Sequence, residues 1–204
     1  MTVQRWRQLL LGIHIISAGG WMIAAVAESM LIFHGMKLKA EGRLRAAEFS
    51  LFLDDELLVP CAVAVTYSGI MLATLMPWGL RRTWVTVKLV GTIVGLIFGT
   101  VWLGGWLDEI VSAAGNGERG PVWAEMIGGW VLVAGLAIIG WIGIAKPWAK
   151  RAGTGTERRS WVWAIAVATP VIDVALGLYG LLMLVVIIGY VLLHMWDKQK
   201  AQAG

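Results

Sequence analysis

Apolar runs of about 20 residues alternate with short polar or basic connections along this chain, and helices are the economical way to carry such runs through hydrocarbon. The pattern predicts five spans, at 9–33, 57–76, 84–106, 122–145 and 171–194. At about 1.5 Å per residue, each is long enough to cross an apolar layer of roughly 30 Å. The first run is interrupted by His14, Trp21 and Glu28, spaced seven apart. That spacing places the three on one stripe of a helix. An imidazole and a carboxylate on a lipid-facing stripe cost several kcal/mol or more, so this stripe is expected to face other helices or a polar cavity.

The connections complete the outline. Residues 37–56 read as an amphipathic helix at the membrane surface, and Pro60 falls in the first turn of the second span. Pro77-Trp78-Gly79 ends that span, and Arg81-Arg82 mark a basic loop. The third span contains Gly91, Gly95 and Gly99, a doubled small-xxx-small pattern that admits a close helix neighbour. Residues 108–120 read as an acidic loop, and Lys146-Pro147 ends the fourth span before a basic linker. Residues 161–196 are too many for one upright helix and too few for two. Pro170 is the expected break, with an interfacial or kinked lead-in before it and the fifth span after it. The expected fold is an all-α integral membrane protein, with residues 1–204 forming one bundle of five transmembrane helices.

Composition narrows the class. The chain has 204 residues, of which 58% are hydrophobic, and its mean hydropathy is +0.74. The formal net charge of +4 does not point to nucleic acid, because the basic residues sit in loops where they set topology. Arg5, Arg7, Arg81, Arg82, Lys146, Lys150, Arg151, Arg158 and Arg159 then lie on one side. Lys37, Lys39, Arg43, Arg45, Arg119, Lys198 and Lys200 lie on the other. The excess predicts a cytoplasmic N-terminus and, with five spans, an external C-terminus. The first apolar run is longer than a signal h-region and reads as a retained span. The lone Cys61 rules out an internal disulfide.

Candidate chemistry falls into two layers. His14, Lys88 and Asp173 lie at similar depth near the inner boundary, a set suited to an anionic ligand, a proton shuttle or haem iron. The outer layer holds Glu28, His34, Met36, Asp54, Asp55, Glu56, Asp108, Glu109, Glu125 and His194. The candidate metal ligands are His14 in the inner layer and His34, Met36 and His194 in the outer; imidazole and thioether favour copper. Glu28 is the carboxylate most deeply placed in a span, and with Asp173 it is the candidate acid or base. Most of the 13 tryptophans fall near span ends as an aromatic belt, whereas Trp21, Trp130 and Trp141 lie deeper. No Walker loop, nucleophile elbow, HExxH or CxxC occurs.

His14-x6-Trp21, Pro60, Thr66-Tyr67-Ser68-Gly69, Trp78-Gly79, Trp84-x3-Lys88-Leu89 and Lys146-Pro147 together resemble the copper-resistance D-like superfamily. That superfamily includes the HemJ-type protoporphyrinogen oxidases, and the closest likeness is to an uncharacterised bacterial branch. The resemblance covers roughly residues 9–147. It implies a multi-pass protein of the bacterial inner (cytoplasmic) membrane, with His14 and Lys88 associated with haem b or a porphyrin in an oxidoreductase role. His34 falls one residue short of a second histidine of that pattern, and no histidine occurs from Thr92 to Trp102, where a further one belongs.

Four readings follow. The first is a redox protein with His14 as axial ligand, Lys88 on a propionate and Trp21 beside the ring. The second handles copper through His34, Met36, His194 and the outer carboxylates. The third is an enzyme acting on a lipid-soluble substrate with Glu28 or Asp173 as acid or base. The fourth is a non-catalytic member of a homo-oligomer or larger membrane complex, packed through Gly91, Gly95 and Gly99.

Overall fold

The computed structural model describes residues 2–76, 79–146, 160–178 and 180–203. Pro77, Trp78, Pro147 and most of the basic linker after Lys146 lie outside them. Side chains of His194 and of residues 197–203 are likewise outside the description, although the helix that carries them is not.

Among the described residues the regular elements are helices. Four are long and apolar enough to cross a membrane: α1 Val3–Gly35, α2 Ala40–Leu75, α3 Thr83–Gly115 and α4 Val122–Ala145. Two shorter helices follow, α5 Ser160–Ala175 and α6 Leu181–Ala203. The first is packed by α2, α4 and α5, and α3 lies against α4.

Three buried clusters follow one another along α1. Leu10 meets Tyr67, Met71 and Leu75 of α2 with Trp163 and Ala166 of α5 and Met183 of α6. Next come Trp21, Ala24 and Ala25 with Leu58, Ala62, Val65, Leu103 and Leu132. At the far end Ile32 joins Ala47, Leu107, Ile110, Ala114 and Val122. The apolar stripes of four helices thus close on one another over the whole length of the first.

Two expected connections are continuous with spans instead. Residues 37–56 do not form a separate surface helix. From Ala40 onward they are the opening turns of α2, carried into the second span through a π-helical stretch, Asp54–Leu58. The acidic loop is also shorter than expected, since α3 continues through a second π stretch, Gly99–Leu103, to Gly115. The start of α2 packs on the end of α3, and the Arg43 guanidinium donates to the Gly117 carbonyl at 2.7 Å. Each extension covers the other's apolar side, so neither needs the membrane surface.

The C-terminal region differs most from expectation. Pro170 does not break the chain; it lies inside α5, where its missing N–H removes one helical bond. The break falls at residues 176–180, where Gly177 and Gly180 take φ of 62° and 91°, values that glycine reaches without a Cβ penalty. Trp163 and Ala166 pack beside Leu10, near the start of α1, whereas a Cβ on Gly180 would fall 2.7 Å from Cγ1 of Val63. Val63 lies about three turns before the end of α2. Tyr190 then reaches the Thr74 carbonyl at 3.5 Å. Helix α6 therefore runs parallel to the second half of α2, towards the end of the bundle where α1 begins.

The expected fifth span at 171–194 is thus divided: α5 and α6 form a helical hairpin, and both pack beside the start of α1. A turn at that depth leaves the first N–H groups of α6 without helical partners. Asp173 supplies them: its carboxylate accepts from the Gly180 N–H at 2.6 Å and the Leu182 N–H at 2.8 Å. It is 1% exposed.

Two outcomes follow. Reporters fused to the N- and C-termini will be accessible from the same side of the membrane in intact cells; opposite sides would contradict the hairpin. Asp173→Ala will cost about 1–3 kcal/mol in detergent unfolding by stranding two half-buried donors, with Asp173→Asn recovering part of the loss.

Candidate functional site

The stripe of α1 turns inward as expected. Trp21 and Glu28 are 1% and 4% exposed and His14 is half-buried. The three do not share one pocket. His14 belongs to the N-terminal half of the bundle and Glu28 to the far half, with the Trp21 cluster between them.

At the first position, Nδ1 of His14 lies 3.0 Å from the Val65 carbonyl and 3.0 Å from Oγ of Ser68. The Ser68 hydroxyl donates to the Ala64 carbonyl at 2.6 Å. With its proton committed there, Ser68 is an acceptor, so Nδ1 carries the imidazole hydrogen and donates it to α2. Nε2 is then left with its lone pair. Gly69 makes the approach possible, because a Cβ there would fall 3.2 Å from Cε1 of the ring.

Lys88 comes from α3, and its charge acts on His14. Its ammonium lies over Gly143 of α4, where an added Cβ would stand 2.6 Å from Nζ. The charge of Lys88 is felt at His14, and α1 and α3, which carry the two residues, both pack on α4. Asp173 is not part of this pair, since its oxygens serve the N-terminus of α6. Trp21 is enclosed in the central cluster, with its indole Nε1 buried and without a partner.

At the far end Glu28, Asp54 and Glu125 come from α1, α2 and α4 to line one cleft with Ala25, Leu58, Gly99, Leu103, Gly129 and Leu132. The cleft has room for roughly one water. Each carboxylate feels another: Asp54 and Glu125 act on Glu28, and Asp54 acts on Glu125. Glu125 is 1% exposed, and its Oε2 has no hydrogen-bond partner.

Both π stretches contribute to this lining, Asp54 and Leu58 from one and Gly99 and Leu103 from the other. A π turn inserts one residue into the helical register, which re-aims the side chains around it and recurs at functional sites. Sequence reasoning placed Asp54 and Glu125 among the outer-layer carboxylates that could join a metal site, but did not single them out as partners of Glu28. The available signal was in α4, where Glu125, Gly128, Gly129 and Leu132 follow helical spacing and are all buried. A carboxylate in register with a glycine face is a carboxylate turned inward.

The remaining candidates are dispersed. His34 is exposed and Met36 half-buried near the end of α1, and the His194 side chain lies outside the described residues. No group of three or more His, Cys, Asp or Glu side chains is arranged to hold a metal ion among the described residues. Gly91, Gly95 and Gly99 meet this chain's own fourth helix: a Cβ on each would approach Ile139 at Gly91 and Leu132 at Gly95 and Gly99.

The fit around His14 is open to test by Gly69→Leu. The larger side chain will displace the imidazole and destabilise the protein by about 1–3 kcal/mol, with a shifted His14 ring resonance in NMR spectra. An unaltered resonance would mean that the ring does not pack on Gly69. Compared with known proteins, the sequence matches no family model, no curated protein and no solved structure.

Proposed function

We propose that this chain is a multi-pass protein of the bacterial inner membrane that binds haem or a porphyrin in a redox role. His14 is its axial ligand and Lys88 the partner of a propionate. The observation that carries this reading is the bond from His14 Nδ1 to the Val65 carbonyl at 3.0 Å. Ligating histidines characteristically donate their second nitrogen to a carbonyl or carboxylate, which fixes the tautomer and turns the other nitrogen to the metal. The Ser68 contact and the glycine at position 69 hold the ring in that tautomer and orientation.

These residues fit haem b: a neutral imidazole with one free nitrogen, and an ammonium whose charge reaches it. Bound there, haem supplies one-electron chemistry, with the potential tuned by the axial ligand and its hydrogen bonds. The chain's own part is to hold Nε2 unprotonated through α2 and to offer a cation for a carboxylate group.

The C-terminal hairpin supports a cytoplasmic N-terminus. It brings the part of α6 carrying Lys198 and Lys200 to the end that already holds Arg5, Arg7, Arg81 and Arg82. Basic residues concentrated at one end face the cytoplasm.

Protein purified after expression with ample haem will show a Soret band. His14→Ala will abolish it, and Lys88→Ala will weaken haem retention while leaving the band position close to that of wild type. A colourless protein, or a Soret band indifferent to His14→Ala, would overturn the reading.

A further inference from the structure

The cleft at the far end of the bundle uses none of the residues assigned to haem. From it we infer a second site: Glu28, Asp54 and Glu125 bind an exchangeable proton, which reaches them from the aqueous face through Asp54.

The argument begins with charge. Three carboxylates from three helices line the cleft, and no Lys, Arg or His is among the lining residues. The charges that act most strongly on them are also acidic: Asp54 and Glu125 on Glu28, Asp54 on Glu125, and Asp55 and Asp108 on Asp54. Isolated charges in a poorly hydrated interior are costly without a compensating positive charge. Positive charge therefore has to come from outside the chain.

The second observation is an orphaned atom. Oε2 of Glu125 is wholly buried and accepts no hydrogen bond. A buried carboxylate oxygen with nothing donating to it forfeits its hydration for no return, whereas protonation removes the charge that needed that hydration. Size then limits the occupant. The cleft holds about one water, and no triplet of ligating side chains is arranged for a metal ion among the described residues. A proton, alone or on a water, matches both limits.

Access follows from burial. Asp55 and Asp108 are exposed, Asp54 is half-buried, and Glu28 and Glu125 are buried. A proton leaving the Glu28 or Glu125 carboxyl makes that group a carboxylate and Asp54 a carboxylic acid. Asp54 then returns the proton to water, so charge moves by single proton transfers with no other reactant.

Infrared difference spectroscopy on the full chain in lipid vesicles tests this. At neutral pH the wild type will show the carbonyl stretch of a protonated carboxylic acid. The band will shift on transfer to D₂O, and sodium or calcium chloride will not remove it. Glu28→Gln and Glu125→Gln will each diminish the band, and Asp54→Asn will slow its deuterium shift. Absence of the band, its survival in both glutamine variants, or its removal by sodium or calcium would overturn the proposal. Displacement by an ion would assign the cleft to a metal cation. If a variant fails to fold, the wild-type band, its deuterium shift and its response to the two salts still decide the matter. None of these readings depends on haem, so failure at His14 and failure at this cleft are distinguishable.

Discussion

An ionisable side chain on an otherwise apolar helix must be turned away from hydrocarbon, and the packing of this molecule follows from that constraint on α1. The helix carries two stripes of the same period. His14, Trp21 and Glu28 point inward, whereas Ile16, Ile23 and Met30 are 76%, 69% and 62% exposed. Two residues advance a helix by about 200°, so the stripes are nearly opposite. Orienting one stripe to lipid fixes which face α2, α4 and α5 must cover.

The two ends meet the constraint by different chemistry. Around His14 the solution is donor to acceptor: an imidazole N–H finds a backbone carbonyl on α2, at a point where glycine lets the ring come close. Such a bond satisfies one nitrogen and leaves the other for a ligand. Around Glu28 the neighbours are more carboxylates, so the protein itself offers no compensating charge. Two π stretches and Gly129 open space there rather than closing it. Asp173 shows a third solution, a carboxylate wholly occupied by backbone donors at a helix start. Its burial matches that of Glu28, yet each of its oxygens already accepts a backbone N–H.

Much of this was legible in the sequence. Four long apolar runs and the inward stripe of α1 both follow from period and depth. Less legible were features decided by partners distant in sequence. Residues 40–53 and 104–115 look too polar to continue a span, and they stay helical because each covers the other's apolar side. Pro170 looked like the break because proline disfavours helix interiors. The real break is at Gly177 and Gly180, where positive φ is needed and where Asp173 can cap the next helix. Hydropathy reports how apolar a run is, not whether it crosses or turns back; that depended on one carboxylate and two glycines.

The inward orientation of the α1 stripe is tested most directly by spin labels on that helix. Labels would be placed singly at residues 16, 23, 30, 18 and 25 in a Cys61→Ser background, with the protein in lipid bilayers. Collision with dissolved oxygen, which concentrates in hydrocarbon, will be high at 16, 23 and 30. It will be low at Ala18 and Ala25, which lie beside the stripe and pack in the central cluster. Uniform oxygen access at all five positions, or the reverse pattern, would contradict the account.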